Sequence, residues 1–150
     1  MLEMTGRLIG IARRAAKRAP MEVLERALVS LEAGVEGDFR GKPGKRQVTV
    51  LSAEAFAAAI ADIDPAPDHA PWTLRRANLL VEGVTLPRTA GARIAIGALV
   101  LEVTGETDPC QRMDEQLPGL TKALVPDWRG GVTCRVITPA TVALGDPVSA

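Results

Sequence analysis

Between Arg93 and Thr104 the chain reads RIAIGALVLEVT, and this stretch limits the fold more than any other. Ile94 and Ile96 share one parity, while Leu99, Leu101 and Val103 share the other. Gly97-Ala98 lies between them as a two-residue turn of the Gly-X kind, so two strands of alternating burial fold back as a hairpin. The same period of two recurs in Gln47–Val50, with Val48 and Val50 inward, and in Val132, Cys134 and Val136. Leu8–Ala12 is a short apolar run suited to a strand buried on both faces. Asn78–Leu86 reads as another strand, and Val142–Val148 as the last, interrupted by Gly145-Asp146.

Helical signals are few. Ser52 is placed to cap a helix over Ala53–Ile63, with Glu54 in its first turn. The prolines of DPAPDHAPW forbid its continuation. Pro20–Ala33 stays open: Val23, Leu24, Ala27, Leu28 and Leu31 fit a helical stripe, yet Leu28–Leu31 would also serve as a strand. The pattern predicts a mainly β (α+β) domain, a curled sheet or partial β-barrel with one or two short helices. At 150 residues, with no repeat or linker, residues 1–150 are read as one domain.

Composition narrows the partners. Eighteen Lys and Arg balance eighteen Asp and Glu, which speaks against a general nucleic-acid coat. No run reaches the ~18 apolar residues of a membrane span, and the N-terminus lacks the apolar core of a signal peptide. Arg13, Arg14, Lys17 and Arg18 are read as a solvated basic loop after a first strand. The expected compartment is the reducing cytoplasm, so the two cysteines are judged singly.

The segment GVEGDFRGKPGKRQVTV, residues 34–50, holds four glycines and four basic side chains. It is not a nucleotide P-loop. Only three residues separate Gly37 from Gly41, and Pro43 follows Lys42 where a metal-binding hydroxyl would be needed. No GxGxxG occurs, and one histidine with two cysteines cannot build a two-Cys, two-His zinc site. Basic residues at Arg40, Lys42, Lys45, Arg46, Arg75, Arg76, Arg112 and Arg129 fall in several loops; they are either scattered solvated charge or converge on an anionic ligand.

Cys134 holds the apolar parity of its strand and reads as a small buried hydrophobe. Cys110 follows Pro109 just past a strong strand, at a strand-to-loop exit where sites are often built. A thiol with a pKa near ~8.5 is about 3% thiolate at pH 7, and one near ~6 is about 90%. Arg112 would favour such a shift, whereas Glu106 and Asp108 would oppose it. His69, the only histidine, would have to serve any Cys–His or Ser–His pair.

In sequence order, Gly34-Val35-Glu36-Gly37-Asp38, Arg46-Gln47-Val48-Thr49, Arg76-Ala77-Asn78-Leu79 with Gly83, Gly91, Ile96-Gly97 through Glu102-Val103-Thr104, Pro109-Cys110, Arg129-Gly130-Gly131-Val132 and Gly145-Asp146-Pro147-Val148 resemble the motifs of a small stand-alone MOSC domain, the module named for the C-terminus of molybdenum-cofactor sulfurases. Phe39-Arg40-Gly41 stands where many members carry a histidine. The resemblance implies a barrel-like β fold of MOSC type and a strand at Leu28–Leu31. It also implies that Cys110 carries sulfur as a persulfide or ligates molybdenum in a molybdopterin cofactor, since a thiolate is both a soft ligand and a sulfur acceptor. Arg76, Asn78, Arg112, Arg46, Asp38 and Arg40 would border the cofactor pocket, with Asp38 holding its loop by side-chain-to-backbone bonds. The partners implied are a pyridoxal-phosphate-dependent cysteine desulfurase as sulfur donor, or a separate electron-donor protein. The alternatives are a molybdenum-dependent reductase of N-hydroxylated compounds and a non-catalytic module for an anionic ligand.

Overall fold

The computed structural model describes residues 5–65, 67–68, 70–107 and 112–150. Eleven strands are present among them: β1 (Thr5–Arg13), β2 (Glu22–Leu24), β3 (Arg26–Ser30), β4 (Gly34–Val35), β5 (Val48–Ser52), β6 (Leu79–Glu82), β7 (Arg93–Ile96), β8 (Leu99–Glu106), β9 (Val132–Thr138), β10 (Ala140–Ala143) and β11 (Pro147–Ser149). Three short helices accompany them: α1 (Ala53–Ala61), α2 (Arg112–Gln116) and α3 (Leu120–Leu124).

Seven of the strands close into a barrel-like ring in the order β11-β7-β8-β9-β5-β6-β1, which the β1–β11 pairing seals. Strand β2 lies along the far end of β1. A ring with an odd number of strands cannot alternate direction throughout, and here the one parallel pair is β5–β6. A parallel pair needs a long crossover, which α1 and a 3-10 turn over Trp72–Arg75 supply. Strands β10, β3 and β4 form a second, three-stranded sheet.

The hairpin expected around Gly97 is present: β7 and β8 pair antiparallel, with Ile96 opposite Leu99 and Gly97 at φ 56°. Ile94, Ile96, Leu99, Leu101 and Val103 all point into the barrel and are buried, as their parity requires. The interior is aliphatic, completed by Leu8, Ile11, Val48, Val50, Leu79, Val81, Val132, Cys134 and Val136. A second cluster sits outside the parallel pair, where α1, α2 and α3 cover Leu51 and Leu80 with Phe56, Met113, Leu120 and Leu124. A parallel pair buried on both faces in this way matches its apolar sequence.

Several expectations change in detail. The ambiguity over Pro20–Ala33 resolves to strands β2 and β3, the second overlapping the strand that the resemblance implies at Leu28–Leu31: Ala27 and Val29 face inward, and Val142 of β10 sits opposite Ala27. The apparent helical stripe has no partner to cover it, since Val23, Leu28 and Leu31 are exposed. The strand expected over Asn78–Leu86 ends at Glu82, because the chain turns at Gly83 with φ 75°, although Val84 and Leu86 remain buried. Three helices replace the expected one or two. The Ser52 cap is seen directly, its Oγ accepting the Ala55 N–H at 3.1 Å. Asp114 in α2 accepts the Thr121 N–H at 2.8 Å, which ties α2 to α3 and holds its carboxyl below the ordinary carboxylate value. Among the described residues no helix is long and apolar enough to cross a membrane.

Candidate functional site

The end of the barrel where β1 finishes and β5 and β6 begin opens into a cationic cleft. Its outer part has a volume of about 660 Å³ and is lined by residues that include Arg14, Arg18, Arg76 and Glu115. A smaller chamber of about 70 Å³ at the barrel mouth shares Arg14, Met21 and Arg76 with it, and adds Asp38, Arg40, Arg75, Asn78 and Thr107. Across both parts, Arg14, Arg18, Arg40, Arg75 and Arg76 face two carboxylates, Asp38 and Glu115. The basic residues thus converge only in part.

Each wall has a distinct structural cause. Asp38 lies just past β4, and its Oδ1 accepts the Arg14 backbone N–H at 2.9 Å while its Oδ2 accepts that of Arg40 at 3.3 Å. In return the Phe39 N–H donates to the Arg14 carbonyl at 2.8 Å. The guanidinium carbons of Arg14 and Arg40 then stand 5.5 and 5.8 Å from the Phe39 ring centroid, within cation–π range. Arg14 is only 6% exposed although its sequence context suggested a solvated loop; the 38–40 loop covers it.

Arg75 is also buried, and it works as a brace. Its Nε donates to the Gly130 carbonyl at 2.9 Å and its Nη2 to the Thr107 carbonyl at 3.0 Å, joining the end of β8 to the approach to β9. Asn78 bonds at both ends of its amide: Oδ1 accepts the Thr49 N–H at 2.9 Å and Nδ2 donates to the Ala12 carbonyl at 3.2 Å, so one side chain ties β1 to β5 beneath the cleft. Arg76 follows with a left-handed backbone, φ 57°. Thr107 contributes a buried Oγ1 that pairs with nothing among the described residues.

Arg46, expected at the rim, is exposed and is not among the residues lining the cleft. The neighbouring Lys45 carbonyl is held by the Thr104 hydroxyl, while the Gln47 amide turns inward to the carbonyls of Leu31 and Gly41. Arg129 binds Asp62 at 2.6 Å and also stands outside the cleft lining. Arg112 is the first residue of α2, close in sequence to Glu115 and Gln116, which line the outer cleft. Cys110 and His69 lie outside the described residues. Cys134 is fully buried between Val48 and Val103, and burial pushes its thiol up to about 12, which removes it from chemistry at neutral pH. No group of three or more His, Cys, Asp or Glu side chains able to hold a metal occurs among the described residues.

Sequence reasoning missed Arg14, Phe39 and Thr107. The one available signal was the apolar run before Arg14, which carries a strand directly to that arginine.

The architecture recurs in solved structures. The YUAD protein from Bacillus subtilis superposes with a TM-score of 0.75 at 21% identity, covering 99% of this chain and 97% of that one. YiiM from Escherichia coli gives a TM-score of 0.69 at 16% identity over 95% of this chain and 68% of its own. YiiM from Geobacillus stearothermophilus gives 0.66 at 16% identity, with 96% and 72% covered. No curated protein matches. At these identities the likeness establishes the fold alone. The MOSC domain family model matches residues 34–149, and the chain therefore belongs to the MOSC domain family.

Proposed function

We propose that this MOSC-domain protein binds an anionic, pterin-type molybdenum cofactor in the cationic cleft, with Cys110 as its thiolate ligand. One observation carries the reading: the cleft lined by Arg14, Arg40 and Arg76 also takes in Thr107, three residues before Cys110 in the chain. The residues present fit such a group. The outer cleft lies within the roughly 300–1,000 Å³ range of small-molecule sites, its cations outnumber its carboxylates, and Asp38 is committed to backbone N–H groups. Thr107 Oγ1, without a partner among the described residues, offers a further polar contact. A bare sulfur carrier needs a thiol and a docking face but no arginine-lined cleft of this size, so the geometry favours the cofactor.

When bound, the cofactor supplies a two-electron redox centre, suited to reduction of N-hydroxylated compounds with electrons from a separate donor chain. The protein's own residues bind and orient. Arg76, Arg14 and Arg40 attract the anionic groups through charge-assisted hydrogen bonds. Arg75 and Asn78 fix the mouth, and a thiolate at Cys110 offers a soft ligand.

Expression in a molybdopterin-producing host, followed by molybdenum and phosphorus analysis of the purified protein, tests this. Molybdenum should copurify with the wild type, and both Cys110→Ser and Arg76→Ala should lose most of it. Wild type free of molybdenum but gaining one sulfur atom at Cys110 after treatment with a cysteine desulfurase and cysteine would overturn the cofactor reading in favour of a persulfide carrier.

A further inference from the structure

Four described residues other than glycine have a left-handed backbone: Arg18, Arg76, Asp127 and Trp128. All four border clefts. Arg18 and Arg76 belong to the cationic one, whereas Asp127 and Trp128, both at φ 54°, line a second cleft of about 550 Å³. The two clefts lie at opposite ends of the parallel pair. Thr49 and Asn78 border the first, and Ser52 and Gly83 border the second. An L residue in this region is strained, a bulky one is a true outlier, and such strain concentrates at ligand sites.

The second cleft is built differently from the first. Its floor is aliphatic, from Val84, Leu86 and Val132, and its wall is the indole of Trp128, itself packed against the barrel core. Asp127 Oδ1 accepts from Arg88 Nη1 at 3.1 Å, which links the β6–β7 loop to the segment after α3 and cancels the charge of both residues. Glu54 remains. Its Oε2 accepts the Gly83 N–H at 3.0 Å and its Oε1 lies 3.4 Å from Ser52 Oγ, so the carboxylate is fixed at the edge of the cleft as its uncompensated charge.

We infer that this second cleft is a binding site for a flat aromatic cation, such as an aryl amidine or arylalkylamine. The ring would lie on the Trp128 indole and the aliphatic floor, and the cationic head would reach Glu54. Tryptophan is the best of the aromatic faces for a cation, and one carboxylate with no basic partner among the described residues disfavours anions. The binding class is thus opposite in charge to that of the cationic cleft.

Benzamidine is the probe, and backbone and indole N–H resonances of 15N-labelled protein are the readout. Benzamidine should shift the Trp128 indole N–H and the Gly83 amide saturably, at the roughly millimolar affinity expected of so small a ligand. The Trp72 indole should stay in place. Benzoate, of the same shape and opposite charge, should leave both reporters unmoved. Glu54→Gln, an exposed site where an acceptor for Gly83 is retained, should weaken benzamidine at least fivefold. Equal binding of benzoate, an unchanged affinity in Glu54→Gln, or no movement of Trp128 would each overturn the inference.

Discussion

Asp38 holds Arg14 across 24 residues of sequence, its Oδ1 accepting the Arg14 backbone N–H at 2.9 Å. Through Oδ2 the same carboxylate holds Arg40, so it sets both arginines that flank the Phe39 ring. Asp38→Ala leaves the Arg14 N–H without its acceptor in a part-buried setting, which should cost about 1–3 kcal/mol. Asp38→Asn keeps one acceptor oxygen and should lose less than half as much. Urea denaturation of the two variants checks this order.

Asn78 satisfies a donor on β5 and an acceptor on β1 from a 5%-exposed position. Asn78→Ala should cost about 2–4 kcal/mol, since two backbone groups lose their partner and part of the amide volume becomes void. Thermal unfolding should show the loss. If molybdenum is carried, its content per folded molecule should fall less than in Arg76→Ala.

Cys134 contributes a pH dependence with a defined sign. Its thiol is neutral in the folded state up to about 12, against 9.0 for the ordinary group. Its contribution to stability is fully present below pH 9.0 and is lost as pH rises from there towards about 12, at about 1.4 kcal/mol per pH unit. Relative to Cys134→Ala, the wild type should therefore lose urea resistance more steeply between pH 9 and 10. In native protein at pH 8, a thiol reagent should modify one cysteine, and the second only after denaturation.

Gly41 lies against the turn after β3: a Cβ there would sit 1.6 Å from the Ala33 carbonyl oxygen, and backbone cannot yield that much. Gly41→Ala should cost more than about 2 kcal/mol, and it should displace Gln47, whose amide donates to the Gly41 carbonyl at 3.2 Å. Circular dichroism melting against wild type reads the loss.

Period-two patterning carried the fold reading where a strand has one barrel face and one outer face, as in Ile94–Val103 and Val132–Val136. It failed at residues 20–33, because a short run such as Val23, Leu24, Ala27, Leu28 satisfies both periods. Pairing with β10, more than a hundred residues later, decides between them. Helices α2 and α3 gave little local signal, since each is only five residues long and is held by packing on Leu51 and Leu80. At the cleft, charge and motif marked Asp38, Arg40, Arg76 and Asn78, but not which cations stay outside. Arg46 and Arg14 look alike in sequence. The difference is made by contacts distant along the chain, with Asp38 and Phe39 folding over one arginine while the other stands in an outward-facing loop.

The single same-direction seam in an odd-numbered ring has an evolutionary corollary. A relative that gained or lost one stave of the barrel could keep its closure only by abolishing that seam or adding another. With the seam abolished, the helical cap that spans it would lose its reason to exist, and the starts of its two strands would no longer open side by side. Strand number is thereby tied to the seam, whereas the loops at either rim can change without touching it.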